Sequence, residues 1–102
     1  MSASSLTMAQ QEFSIYEGPV PNALPCNKEE VVSKNATGKT VIANVTSPSV
    51  TVFKPAKQDV HKTALIVCPG GGYARLASGH EGTEVAEAFN KIGVTVFVVK
   101  YR

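Results

Sequence analysis

The sequence predicts an α/β fold in which an N-terminal antiparallel hairpin leads into a strand–helix–strand unit of a parallel sheet. Three observations carry this. Leu65-Ile66-Val67 and Val94-Thr95-Val96-Phe97-Val98-Val99 are near-continuous apolar runs, the pattern of strands covered on both faces. Between them Val85, Ala88, Phe89 and Ile92 recur at helical spacing, with Ala86 adjoining. Directly after the first run stands Pro69-Gly70-Gly71-Gly72-Tyr73, a loop placed where α/β sheets bind ligands, outside the carboxyl end of a strand.

Taken in chain order, Met1–Gln10 is small and polar and lacks an apolar segment, while Thr7-Met8-Ala9 has the small-residue character of a signal-peptide cleavage site. Residues 1–12 are expected to be disordered or a signal-peptide remnant, which points to a secreted or periplasmic protein and otherwise to a cytoplasmic one. Phe13-Ser14-Ile15-Tyr16 alternates and predicts a short edge strand. Pro19, Pro21 and Pro25 keep the following stretch extended. Lys28–Lys39 reads as a loop with at most a turn of helix. Thr40–Thr46 and Ser49–Lys54 are rich in β-branched residues about the turn signal Ser47-Pro48, and predict the hairpin. A strand over 63–68, a helix over about 80–92 and a strand over 94–99 follow. Ser78 and Glu81 have capping-box spacing, Glu84 and Glu87 add negative charge near the helix start, and Lys91 and Gly93 mark its end. The two flanking strands are expected to be parallel with a right-handed crossover.

The chain of 102 residues suits one small domain, and its 43% apolar and 18% charged residues are those of a globular protein. The ten basic residues are scattered and the net charge is only +2, so no nucleic-acid or membrane partner is expected. No apolar run approaches the ~18 residues of a transmembrane helix. Cys26 and Cys68 lack metal or redox spacing, so no metal or cofactor is expected. Cys68 reads as a small buried hydrophobe, and a Cys26–Cys68 disulfide is left open. Asn35-Ala36-Thr37 and Asn44-Val45-Thr46 match glycosylation sequons, which matter only in a eukaryotic secretory pathway.

Successive glycines let a backbone adopt φ > 0 and turn its N–H groups inward, a nest for an anion or a developing negative charge. A dinucleotide fingerprint would need a third glycine where Arg75 stands, and a phosphate-binding P-loop would need Gly-Lys-Ser/Thr after the loop. Gly38-Lys39-Thr40 lacks the upstream glycine, Ser33 standing there, and reads as a turn. An oxyanion loop after the third strand of a hydrolase sheet fits, with Pro69 in the usual place of a histidine. A tight turn without function is the plain alternative.

Residues 13–102, most densely Ala64–Arg102, resemble the N-terminal portion of α/β-hydrolase esterases related to bacterial acetyl xylan esterases and polysaccharide-associated esterase/lipases. The resemblance lies in Pro69-Gly70-Gly71-Gly72-Tyr73, in His80-Glu81-Gly82 before the helix, and in Tyr101-Arg102 after the last strand. Tyr16-Glu17-Gly18 with Pro21-Asn22-Ala23, and Pro48–Phe53 before Pro55, extend it. It implies a serine carboxylic-ester hydrolase acting on a small-molecule or polysaccharide ester, with a Ser-His-Asp/Glu triad whose serine sits in G-x-S-x-G. The chain has no G-x-S-x-G: Leu76 stands where Ser78 would need its first glycine. The expectation is an incomplete domain that holds the oxyanion loop and lacks the nucleophile. Two doubly covered strands served by one helix point the same way.

Within this reading Gly71 and Gly72 are the expected oxyanion donors through backbone N–H. Pro69, Gly70 and Tyr73 shape the loop, with Tyr73 facing the acyl group or packing on the loop. Arg75 faces substrate or solvent, His80 is expected to cap or anchor the loop, and Glu81 to serve the capping box. His61 reads as solvated. The alternative is a non-catalytic anion-binding or interaction module, a degenerate or split hydrolase.

Overall fold

The computed structural model describes residues 10–24, 28–72 and 75–102. Thr7–Ala9, Cys26 and Tyr73 lie outside the described residues, and with them the signal-peptide reading, the disulfide and the placement of Tyr73. Strands β1 (Gln10–Ser14), β2 (Val31–Lys34), β3 (Thr40–Ala43), β4 (Ser49–Phe53), β5 (Ala64–Val67) and β6 (Thr95–Lys100) are joined by a π-helical turn (Gly79–Thr83) that runs into helix α1 (Glu84–Asn90). The main sheet is mixed, in the order β1-β4-β6-β5. β5 and β6 are parallel with Leu65 opposite Val96, and β4 is antiparallel to both β6 and β1. The fold is α/β. No helix among the described residues is long and apolar enough to cross a membrane.

The N-terminal half departs from the sequence reading. Thr40–Thr46 and Ser49–Lys54 do not form a hairpin with each other. β3 pairs instead with β2, inside the stretch read as a loop, through a turn in which Asn35 Oδ1 accepts the Thr37 and Lys39 N–H groups at 3.0 Å. β4 is drawn into the main sheet between β1 and β6 because Val52 and Phe53 find their burial there. The edge strand starts at Gln10 rather than Phe13, so residues 10–12, read as unstructured, pair with Thr51–Phe53.

The helix lies on one face of this sheet. Phe53, Val94, Val96, Val98 and Ala86 form the core, with Leu65 and Val67 packed against it. The face that α1 buries is not the expected Val85/Ala88/Phe89/Ile92 stripe. Gly82 and Ala86 (0% exposed) are buried, Ala88 and Phe89 are exposed, and Ile92 is 66% exposed. Small residues win because the backbone comes close to the sheet: a Cβ on Gly82 would sit 3.0 Å from Val98 Cγ1. Asn90 completes this row and donates to the carbonyls of Phe53 at 3.1 Å and Val94 at 2.8 Å, tying the helix end to β4 and β6.

The opposite sheet face carries Phe13, Val50, Val52, Phe97, Val99 and Ile66 in register. Ile66 is 70% exposed there. β5 is therefore an edge strand with one open face, where the sequence reads cover on both, and Cys68 at its end is exposed rather than buried.

A charged clasp joins the small β2–β3 sheet to the main one. Lys100 Nζ lies 2.7 Å from Glu30 Oε2 and 3.8 Å from Glu12 Oε2. The other Glu30 oxygen accepts the Thr46 N–H at 3.2 Å. Partial burial raises the Glu30 pKa, but the Lys100 hydrogen bond and charge and the backbone donors outweigh it, leaving the carboxyl below its ordinary value. A carboxylate with a depressed folded-state pKa contributes stability that is present above its unfolded value and is lost as pH falls through the folded one.

Two predictions follow from this packing. Ala86→Leu should cost about 1–3 kcal/mol by overpacking, while Ile92→Ser should stay within about 0.5 kcal/mol, read by urea unfolding; the order reverses if the large apolar stripe were the buried one. In Glu30→Gln the loss of stability between neutral pH and the acid range should be smaller than in the parent chain, read by thermal unfolding across that range.

Candidate functional site

The glycine loop leaves β5 at the sheet edge where parallel β5 and β6 both end. Four attachments fix it. Pro69 is fully buried, and its carbonyl accepts the Tyr101 hydroxyl from the end of β6. The Gly70 N–H donates to Glu81 Oε1 at 2.9 Å. The Gly70 carbonyl accepts the Ala77 N–H at 2.9 Å. Leu76 exchanges two backbone hydrogen bonds with Ile42 of β3, at 2.9 and 2.7 Å. The loop is thus tied to the helix side, to itself, to β3 and to β6.

The glycines are required for two different reasons. Gly72 has φ +63°, where side chains are strained. Gly71 has no positive φ but a close neighbour: a Cβ there would fall 1.4 Å from the Arg75 carbonyl oxygen. Gly70 has no positive φ, but a Cβ there would sit 3.0 Å from Glu81 Oε1, the oxygen that accepts its N–H. Among the described residues, no hydrogen bond engages the N–H of Gly71 or Gly72, and both glycines are exposed.

The other site residues fall in different places. Glu81 makes no capping box: Ser78 has helical dihedrals and no side-chain cap bond. Its carboxylate is taken by the Gly70 N–H, a donor brought within reach only by the fold. Among the described residues no hydrogen bond or ion pair joins His80 to the loop. Its side chain is 68% exposed, with Nδ1 3.7 Å from Glu84 Oε1. The Lys39 ammonium, 2.5 Å from Glu84 Oε2, holds that carboxyl below its ordinary range, with a smaller contribution from His80. Arg75 is exposed and lines a cavity of about 300 Å³ together with Leu76, Tyr101 and Arg102. No group of three metal-ligating side chains occurs among the described residues.

Two residues of this neighbourhood carried no role in the sequence reading. Tyr101 holds Pro69, and Arg102 shares the cavity with Arg75. The available signal was topological: both follow β6, whose C-terminal end shares the loop's sheet edge because β5 and β6 are parallel.

A stretch of 39 residues is 46% identical to an acetylxylan esterase of Xylanibacter ruminicola, covering 38% of this chain and 8% of that protein. The chain thus aligns with less than a tenth of the length of the curated relative it matches. The match supports a relationship to esterases. No protein-family model and no solved structure matches the chain.

A charge-assisted hydrogen bond is worth about 1.5–3 kcal/mol net when sheltered, and less at this exposed position. Glu81→Ala should therefore speed hydrogen exchange of the Gly70 amide by roughly tenfold, with Glu81→Gln in between. Unchanged exchange in Glu81→Ala would remove Glu81 from the loop's support.

Proposed function

We propose that this chain is part of a serine carboxylic-ester hydrolase, of the kind that removes acetyl groups from xylan-type polysaccharide, and that it contributes the oxyanion loop without the nucleophile. The observation that carries the reading is the pair of N–H groups at Gly71 and Gly72, on a loop fixed at both ends beside the C-terminal end of β5. The similarity of 39 residues to an acetylxylan esterase supports it.

In ester hydrolysis the carbonyl oxygen gains negative charge as the tetrahedral intermediate forms. Donors already aimed at that oxygen stabilise it without reorganising, each worth about 3 kcal/mol. Glycine is the residue type that lets backbone N–H groups reach such an oxygen, because no Cβ stands in the way. The attacking serine, its base and the orienting acid are absent from the sequence as a G-x-S-x-G elbow and triad. The exposed Phe13 and Ile66 on one face of the main sheet fit a domain of which residues 13–102 are the N-terminal portion. The small-residue character of Thr7-Met8-Ala9 supports a secreted or periplasmic location for the whole protein.

The reading frame continued past Arg102 should encode G-x-S-x-G followed by an acid and a histidine, and its product should release acetate from acetylated xylan. The chain of 102 residues by itself should give no burst of p-nitrophenol from p-nitrophenyl acetate. A burst that titrates one site per chain would contradict the assignment of the nucleophile to another segment.

A further inference from the structure

We infer that the β2–β3 hairpin is the brace that aims the oxyanion loop, with Ile42 and Leu76 as positioning residues; the inference rests on the oxyanion reading above and names what controls that site. The second leg of the loop, Arg75-Leu76-Ala77, lies back along the first. The Arg75 carbonyl oxygen fills the space that a side chain on Gly71 would need, 1.4 Å from where its Cβ would stand. The Ala77 N–H donates to the Gly70 carbonyl at 2.9 Å. Between them Leu76 gives both its backbone groups to Ile42 of β3, at 2.9 and 2.7 Å. Three consecutive residues thus touch Gly71, β3 and Gly70 in turn. Peptide units are planar and stiff, so a shift of β3 moves Leu76 and carries its two neighbours with it.

The pairing is committed to this contact. Ile42 stands opposite Val32 in the hairpin, yet its N–H donates to Leu76 and not to β2. Leu76 is only 6% exposed, so water competes poorly for these bonds. A two-stranded hairpin is marginal by itself, and it can hold a position only if it is itself held. Two contacts do so. β3 comes so close to the π-helical turn that a Cβ on Gly79 would sit 2.6 Å from the Thr40 nitrogen. Lys39, next to Thr40, pairs with Glu84 of α1 at 2.5 Å. The hairpin therefore refers the loop to the helix by a route separate from Glu81. Glu81 holds the N–H of Gly70, while the hairpin sets the carbonyl on which Gly71 packs.

Amide spectra of the isotopically labelled chain, free and titrated with acetate, test this in two variants. Ile42→Pro removes the donor to Leu76 without removing a ladder bond to β2. Gly79→Ala leaves the loop's own residues unchanged and pushes β3 away at Thr40. In both, the Gly71 resonance of the free chain should move. Acetate binding, read at Gly71 and Gly72, should weaken by about tenfold, the worth of roughly one backbone hydrogen bond. The Val96 and Val98 amides of the main sheet should keep their parental positions. Parental acetate affinity in either variant whose main sheet is intact would overturn the brace, whether or not the Gly71 resonance moves. If Ile42→Pro disturbs the main sheet, Gly79→Ala decides. A parent chain whose glycine amides show no saturable shift with acetate would overturn the oxyanion reading instead, and the brace would then stand or fall on the free-chain Gly71 resonance of the variants.

Discussion

The hydrogen bond from the Gly70 N–H to Glu81 Oε1 joins the exit of β5 to the π-helical turn that begins the return to β6. Without it the loop would have only its internal contact at Ala77 and its outer ties at Leu76 and Tyr101 to hold it. With it, the loop's first glycine is committed to structure, while among the described residues the N–H groups of the next two have no hydrogen-bond partner. The same bond explains why Glu81 has no part in a helix cap. A carboxylate has few donors to choose from, and here the loop outcompetes the helix's own first turn.

The close approach of the helix to the sheet depends on small residues in the same region. Gly82 sits against Val98 and Pro69, and Ala86 is fully enclosed. That approach buries Pro69 and so sets the height at which the loop leaves the sheet. It also turns Phe89 and Ile92 outward. Together with the open face carrying Phe13 and Ile66, these residues give the chain more exposed apolar surface than its core of mostly valines would require. A sheet of this kind is ordinarily a middle layer, which is how the proposed hydrolase domain would use it.

Much of the site's half of the fold was legible in the sequence. The apolar runs at 65–67 and 94–99 become parallel neighbours, and the helix lies between them. Legibility failed where the deciding contact is remote. Ser47-Pro48 is a sound local turn signal, yet β4 pairs with β1 and β6 because distant apolar partners bury it better than β3 does. The helix face was misread because periodicity weighs large apolar residues, whereas close packing on a sheet favours Gly82 and Ala86. The loop was legible as a loop, but of its three glycines only Gly72 takes a positive φ. Gly71 is glycine because of Arg75, a contact no spacing rule contains.

The central claim is that the Gly71 and Gly72 N–H groups form an anion-accepting pair. Amide spectra of isotopically labelled protein during titration with acetate, which carries the charge and size of a developing oxyanion, address it most directly. The account predicts saturable shifts of the Gly71 and Gly72 amide resonances, with the Gly70 amide, already held by Glu81, nearly still. Shifts confined to the neighbourhood of Arg75 and Arg102, with the two glycine amides unmoved, would contradict it.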